Sequence, residues 1–180
     1  MLPLLGQAVV RKRALKRLLA GHLWVYKSDM DFAGQEAGLV EVLDPKGECF
    51  GQALFSPRSQ ITLRMLAPNT VCVDEDFIVQ RFEQALMRRT HLLADLKSYR
   101  LIHGEGDLLP GLFVERYEDA FVVQSTCAAA ELLEPLCIEW IKERLTPRLI
   151  VLNNTTKSRR AEGLELYRKV VHGAEPAEAS

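Results

Sequence analysis

The segment Arg100–Asp119 carries the residues whose types and spacing come nearest to a chemical site. His103, Glu105 and Asp107 alternate with two glycines, so on an extended chain the three side chains would point to one side. They could bind a metal ion, and two carboxylates at a fixed separation could hydrolyse a glycoside. Two glycines favour a turn over a rigid strand, however. We therefore expect a strand, a turn and a returning strand, with Glu105 and Asp107 capping backbone amides. No catalytic residue and no metal ligand is predicted here.

A second candidate site is the basic cluster near the start of the chain. Residues 1–28 contain six Lys or Arg residues and no Asp or Glu, although the net charge of the 180-residue chain is −1. Such cations could contact phosphates, with binding that weakens steeply as salt rises. They could equally form an ordinary solvated helix surface.

Bulk composition narrows the class of protein. The chain is 48% hydrophobic and 26% charged, as is usual for a soluble globular protein. No apolar run approaches the roughly 18–20 residues that a membrane span needs, and the start of the chain lacks the order of a secretory signal. The four cysteines form no CxxC pair, so neither a zinc site nor a disulfide framework is expected, and a cytoplasmic location is predicted.

The first half of the chain predicts one short helix followed by closely spaced strands. Residues 11–21 place Leu15, Leu18 and Leu19 on one face at helical spacing and end in glycine. A type I turn is predicted at Asp44–Gly47, because Asp, Pro and Gly stand at its first, second and fourth positions. Short strands separated by turn signals are typical of a small barrel or sandwich. The predicted strands are HLWVYKSDM, GLVEVLD, ECFGQALF and SQITLRML.

The second half predicts a long helix and then strands around one more helix. Asp74 is suited to cap a helix that reaches Lys97. A further helix is expected over about 130–145, where Pro135 belongs in the first turn or marks the true start. The predicted strands are RLIH, GLFVERY, AFVVQS and RLIVLNN. Beyond them KSRRAEGLELYRKVVHG predicts nothing decisive, and AEPAEAS is expected to be a linker or disordered tail.

Four stretches follow one another in the order found in one protein family. They are KRLLAGHLWVY, DPKGECFGQALFSPRSQITLRML, RLIHGEGDLLPGLFVERYEDAFVVQ and NNTTKSRRAEGLE. Over about Arg11–Gly173 the chain resembles the N-terminal half of class I S-adenosylmethionine-dependent ribosomal RNA methyltransferases, which methylate cytosine at its 5-carbon in large-subunit ribosomal RNA. The resemblance implies an α+β fold, in which a PUA-like β pseudobarrel that binds RNA precedes a small α+β domain. The expected bounds are 1–73 for the PUA-like domain, 74–98 for a connecting helix, 99–173 for the small α+β domain and 174–180 for a tail or linker.

The catalytic half of that family is not expected in this chain. A class I methyltransferase needs a strand leading into a glycine-rich loop and an acidic residue about twenty residues later. The nearest match is Gly104-Glu105-Gly106, and the LLPG that follows opens no helix. None of the four cysteines matches the family's nucleophile. We therefore expect the Rossmann-like catalytic domain to be absent. By itself the chain should bind no S-adenosylmethionine, which is implied only for the full-length family, and it should methylate nothing.

The resemblance implies that the basic cluster near the start of the chain binds RNA. His22 and Trp24 share a face on an extended chain, where they could stack on unpaired bases. Alternatively, Trp24 anchors the core and His22 hydrogen-bonds the helix end. The basic run Lys157–Arg160 could extend the surface, although an exposed loop is the preferred interpretation. The residues predicted to contact RNA are Arg11, Lys12, Arg13, Lys16, Arg17, His22, Lys27 and Arg58.

The sequence thus predicts the RNA-binding, substrate-recognition portion of a ribosomal RNA methyltransferase, with ribosomal RNA as its partner. Both a piece of a longer enzyme and a short protein that kept the recognition half fit this prediction. The alternative is a stand-alone RNA-binding or protein-interaction module with no catalytic role. The pattern after RLIVLNN offers no last strand, and a sheet edge left open there could pair with a second copy in a homodimer.

Overall fold

The computed structural model describes residues 2, 4–31, 34–68, 72–93 and 95–174. These residues form an α+β fold with one sheet of six strands and one of five. The first sheet contains β1 (Leu4–Val10), β2 (Trp24–Tyr26), β3 (Met30–Asp31), β4 (Gly38–Leu43), β5 (Cys49–Phe55) and β6 (Ile61–Pro68). Its order is β2-β6-β5-β4-β1-β3, and β1 runs parallel to β4 while the other pairs are antiparallel. The sheet curls into a nearly closed barrel, as the sequence predicts.

The interior of the barrel is filled by apolar side chains, among them Val25, Val42, Leu63 and Met65. The predicted Asp44–Gly47 turn is confirmed, because the Gly47 amide donates to the Asp44 carbonyl over 3.0 Å. The Asp44 carboxylate also accepts from the Lys46 amide at 2.7 Å. β1 was not predicted. It pairs with β4, and the basic cluster follows it directly along the chain.

The basic cluster lies on α1 (Lys12–Leu19) and the residues beside it. The buried face of this helix consists of Ala14 and Leu18, four positions apart. Leu19 was expected on the apolar face but is exposed, because it lies about 100° further round the helix than Leu18. After the helix the chain adopts a positive φ of 89° at Gly21, a conformation that glycine accepts without strain.

The predicted long helix begins as expected and ends early. It is α2 (Glu75–Leu92), and the Asp74 side chain accepts from the Phe77 amide over 2.8 Å. The expected end at Lys97 is wrong. The Leu93 amide bonds back to the Arg89 carbonyl, and the Leu96 amide bonds to Leu93. These bonds close a turn that returns the chain toward the next strand.

The second sheet contains β7 (Ser98–His103), β8 (Leu112–Tyr117), β9 (Ala120–Ser125), β10 (Leu149–Asn154) and β11 (Tyr167–Gly173), in the order β11-β10-β9-β8-β7. β9 and β10 are parallel, and their crossover holds α3 (Ala128–Glu131) and α4 (Glu134–Leu145). The single helix expected over 130–145 is thus two helices, and Pro135 lies in the first turn of α4. A fifth helix, α5 (Lys157–Ala161), connects β10 to β11.

β11 overturns the expectation that the last strand is missing. It pairs antiparallel with β10 along its whole length, from Leu149 opposite Gly173 to Asn154 opposite Tyr167. The homodimer was inferred from an open edge on β10, and that edge is covered. Of the predicted tail AEPAEAS, residues 175–180 lie outside the described residues.

The two sheets share one apolar core. Leu39, Leu54 and Leu66 of the barrel belong to the same cluster as Phe82 of α2 and Phe121 of β9. The division into domains at the predicted bounds stays a prediction. No helix in the described ranges is both long enough and apolar enough to cross a membrane.

Candidate nucleic-acid interface

Two lysines on α1 present their charges freely to solvent. Lys12 and Lys16 are four positions apart and therefore lie on one face of the helix. Both are exposed, and neither forms an ion pair with any residue that the structure describes. Arg11, just before the helix, is also exposed but donates to Asp31 at 3.1 Å. An exposed pair of this kind contributes little to stability, so Arg11 could exchange Asp31 for a phosphate.

Arg13 and Arg17 are held by a buried carboxylate. Asp29 follows β2 in a short 3-10 turn, Lys27–Asp29, and its side chain is buried. Arg13 donates to Asp29 Oδ1 from Nε at 3.0 Å and from Nη2 at 2.6 Å, and Arg17 donates to Oδ2. Burial raises the pKa of Asp29, but the hydrogen bonds and charges of the two arginines outweigh it and leave that pKa below its ordinary value. These two guanidinium groups therefore fasten α1 to the barrel.

The remaining predicted contacts lie around β2. His22 is exposed between α1 and β2. Lys27 follows β2, and Arg58 comes from the turn between β5 and β6; the two line one cavity of about 310 Å³. Arg58 also reaches the loop between α5 and β11, since its Nη1 lies 3.7 Å from the point where a Cβ on Gly163 would be. The structure thus brings Lys27 and Arg58 together at one cavity. Lys12 and Lys16 form a separate pair on α1.

The His103, Glu105 and Asp107 side chains do not converge on one point. Asp107 is buried and accepts from Arg88 and Arg89, each at 2.6 Å, and from the His103 backbone amide at 2.7 Å. Burial raises the pKa of Asp107, but these donors leave it below its ordinary value. His103 instead contacts Arg100 through Nδ1 at 2.9 Å. In the described part of the chain no group of three or more His, Cys, Asp or Glu side chains is arranged to hold a metal ion.

Glu105 makes a contact that the sequence did not predict. The backbone-capping role is confirmed for Asp107, but the Glu105 carboxylate accepts from Trp24 Nε1 over 2.9 Å, across 81 residues of chain. Trp24 is not the core anchor that the sequence favoured, because 40% of it is exposed. The contact joins β2 at the edge of the barrel to the turn between β7 and β8.

The glycine pair beside Glu105 does not fit S-adenosylmethionine. Gly104–Asp107 is a single 3-10 turn that leads into β8. A cofactor loop would instead open an α-helix. A Cβ on Gly104 would lie 2.8 Å from the Phe113 ring, so the missing side chain makes room for that ring. Among the described residues this segment therefore offers no cofactor cradle.

The second basic run separates into exposed and buried members. Lys157 and Arg160 are exposed on α5, whereas Arg159 is 1% exposed. The Arg159 guanidinium donates from Nη1 to Ser125 Oγ at 2.9 Å and from Nη2 to the Glu165 carbonyl at 3.0 Å. The exposed loop preferred from the sequence is thus a short helix fixed by its central arginine.

A buried polar network at the ends of β9 and β10 was not predicted. Asn154 accepts from the Ser125 amide at 2.9 Å, and its Nδ2 donates to Glu134 at 2.7 Å and to the Tyr167 hydroxyl at 2.8 Å. Burial raises the pKa of Glu134. Among the described residues no buried side-chain nitrogen or oxygen lacks a hydrogen-bond partner. The network therefore joins β9 and β10 to α4 and β11.

Comparison with known proteins agrees with this geometry. The model of the PUA-like domain family matches residues 8–68. Ribosomal RNA large subunit methyltransferase I of Aliivibrio fischeri (strain ATCC 700601 / ES114) is 35% identical over 176 residues, which cover 94% of this chain and 43% of the relative. The protein of the same name from Erwinia tasmaniensis is 33% identical and covers 93% of this chain and 44% of its own length. The chain thus spans less than half the length of the relatives it matches.

Solved structures show the same fold. A candidate SAM-dependent methyltransferase from Streptococcus mutans superposes with a TM-score of 0.78 at 15% identity, covering 96% of this chain and 44% of that one. A second methyltransferase structure, complexed with SAH, gives a TM-score of 0.77 at 16% identity and covers the same shares. At these identities the likeness concerns the fold alone. The chain contains a PUA-like domain and is related over most of its length to the ribosomal RNA large subunit methyltransferases, which confirms the resemblance seen in its sequence.

Proposed function

We propose that this chain binds RNA through the α1 surface and serves as the substrate-recognition portion of an S-adenosylmethionine-dependent methyltransferase. The proposed substrate is large-subunit ribosomal RNA, modified at the 5-carbon of cytosine. The observation that carries the proposal is the pair of exposed lysines, Lys12 and Lys16, which form no ion pair with any described residue. They lie on the helix of a PUA-like domain whose relatives are ribosomal RNA methyltransferases. A cytoplasmic location goes with this proposal, because the RNA substrate would be met there.

The predicted contacts differ in whether an acidic side chain of the protein already holds them. Lys12, Lys16 and His22 are exposed and can approach phosphates without giving up a partner. Arg13 and Arg17 would have to release Asp29, so in this proposal they act mainly by holding α1 in place. Substituting them would weaken RNA binding through misfolding as well as through lost charge. The lysines therefore make the cleaner test.

The test compares two double variants that lose the same charge. Lys12→Ala with Lys16→Ala removes the exposed α1 lysines. Lys97→Ala with Lys169→Ala removes two other exposed lysines, Lys97 just before β7 and Lys169 on β11. Affinity for a fragment of large-subunit ribosomal RNA is measured by fluorescence anisotropy at several salt concentrations. Two phosphate contacts should reduce the slope of log affinity against log salt by about 1.5 in the α1 variant, with no change in the control. Equal slopes in both variants would overturn the proposed surface.

The alternative is an interaction module for acidic protein partners. It predicts a different result when a polyanion competes with RNA for the chain. A generic cationic patch would release RNA to any polyanion, such as heparin, in proportion to its charge. RNA recognition adds contacts to bases and sugars that heparin lacks. Binding that resists a charge-matched excess of heparin supports the RNA proposal, whereas complete displacement supports the generic patch.

A further inference from the structure

Two aromatic side chains on β2 are unusually open to solvent. Trp24 and Tyr26 are each 40% exposed, while Val25 between them is fully buried in the barrel. Because side chains alternate along a strand, the two rings project from the same side. Large aromatic side chains supply much of a protein's core and are seldom left open in pairs. Exposed aromatic pairs of this kind are suited to binding.

The position of β2 gives a ligand access to both rings. In the described sheet β2 pairs with β6 on one side and with no strand on the other. His22 lies two residues before Trp24 and is exposed. On the other side of the pair, the guanidinium carbon of Arg17 lies 5.3 Å from the centroid of the Tyr26 ring. His22 thus flanks Trp24, and Arg17, whose charge is held by Asp29, lies over the Tyr26 ring.

Trp24 is held in one orientation. Its Nε1 donates to Glu105 at 2.9 Å, and this bond lies in the plane of the indole, so it leaves the ring face available. A side chain that is already fixed loses less conformational entropy when it binds. The negative Glu105 approaches only the edge of the indole.

We propose that Trp24 and Tyr26 form a stacking platform for unpaired bases, so that the RNA taken by this surface is single-stranded. In a duplex the base faces are covered by their neighbours, whereas an unpaired base can lie on an aromatic ring while its phosphates meet nearby cations. This inference rests on the proposed RNA binding and specifies the class of RNA. The lysines of α1 attract single-stranded and duplex RNA alike. The aromatic pair favours the single strand, because only unpaired bases can stack on it.

The chain offers a direct spectroscopic test, since it contains two tryptophans. Trp140 is only 5% exposed, donates to Glu83 at 2.8 Å and packs against Phe82. A change in tryptophan emission on RNA addition therefore reports Trp24. A single-stranded oligonucleotide should quench the emission of the wild-type protein and of Trp140→Phe, and a fully paired, blunt-ended duplex of equal phosphate number should leave it nearly unchanged.

Affinity measurements complete the test. Stacking of one base is worth roughly 5- to 100-fold in affinity, so Trp24→Leu should weaken single-strand binding by that factor and leave duplex binding unaltered. Tyr117→Leu, which changes an exposed tyrosine on β8, is the matched control. Quenching without loss of affinity, or equal losses for both RNA classes, would overturn the platform. If the α1 lysine variant still loses RNA while Trp24→Leu does not and emission is constant, the stacking inference fails and the proposed function stands. If no variant changes RNA affinity, both fail.

Discussion

At the scale of single residues, two of the arginines predicted to contact RNA are tied to a buried acid, and two arginines of α2 are tied to another in the same way. Arg13 and Arg17 share Asp29, and Arg88 and Arg89 share Asp107. The spacing of the basic residues predicts which of them share a face of the helix, such as Arg13 and Arg17. It cannot show which of them are neutralised, because Asp29 reaches α1 only after the chain has passed through β2 and a 3-10 turn.

Asp29 gives the first of these pairings a testable pH dependence. Its folded-state pKa lies below the ordinary 3.8, so its contribution to stability is fully present above that value and is lost as the pH falls through the lower, folded-state pKa. Asp29→Asn should reduce the free energy of unfolding by about 2 kcal/mol at neutral pH. The difference from wild type should shrink as the pH falls below 3.8. Urea unfolding at neutral pH and at a series of pH values below 3.8 measures this difference.

The control for this prediction is Asp31→Asn, which alters an exposed acid paired with Arg11. It should change the free energy of unfolding little at either pH. Asp107 also has a lowered pKa and weakens both proteins in acid equally, so it cancels in the comparison. A loss for Asp29→Asn that is the same size in acid and at neutral pH would contradict the ion-pair explanation.

At the scale of elements, prediction succeeded where neighbouring residues determine the structure. The Asp74 cap and the Asp44–Gly47 turn each depend on a few adjacent residues. The end of α2 and the existence of β11 depend on distant parts of the chain. β11 is an edge strand whose residues are all partly or fully exposed, so its sequence has no alternation to reveal it. Its pairing with β10 is what makes it a strand.

The helix α5 allows a sharp comparison between adjacent arginines. Arg159→Lys removes the fork that reaches Ser125 and the Glu165 carbonyl at once, and an ammonium group cannot replace it. The expected loss in the free energy of unfolding is about 3 kcal/mol. Arg160→Lys, one residue away and exposed, should change it by less than about 0.5 kcal/mol. Equal effects in chemical denaturation would show that burial of Arg159 is not what stabilises α5.

At the scale of the whole molecule, the sequence suggested two units, and the packing joins them. Ser56 of the barrel accepts from the Ala129 amide at the start of α3 at 3.1 Å. Glu162, after α5, accepts from the Ala128 amide at 3.2 Å and lies 3.9 Å from Arg64 of β6. Together with the shared apolar cluster, these contacts make the outer face of β5 and β6 part of the second unit's core. Local patterns along a strand cannot indicate which partner covers its outer face.

This packing predicts that the two sheets unfold as one cooperative unit. Val42 lies in the cluster confined to the barrel, so Val42→Ala should weaken the barrel directly by about 2 kcal/mol. Hydrogen exchange at rising urea should show the same decrease in the free energy of opening for the amides of β9, because opening the barrel also exposes the shared core. The buried β9 residues Phe121 and Val123 belong to that shared cluster and not to the cluster of Val42. Leu66→Ala, in that shared core, should also lower the free energy of opening in both sheets. A loss for Val42→Ala confined to the first sheet would instead mean that the barrel opens by itself, as an independent domain of residues 1–73 would.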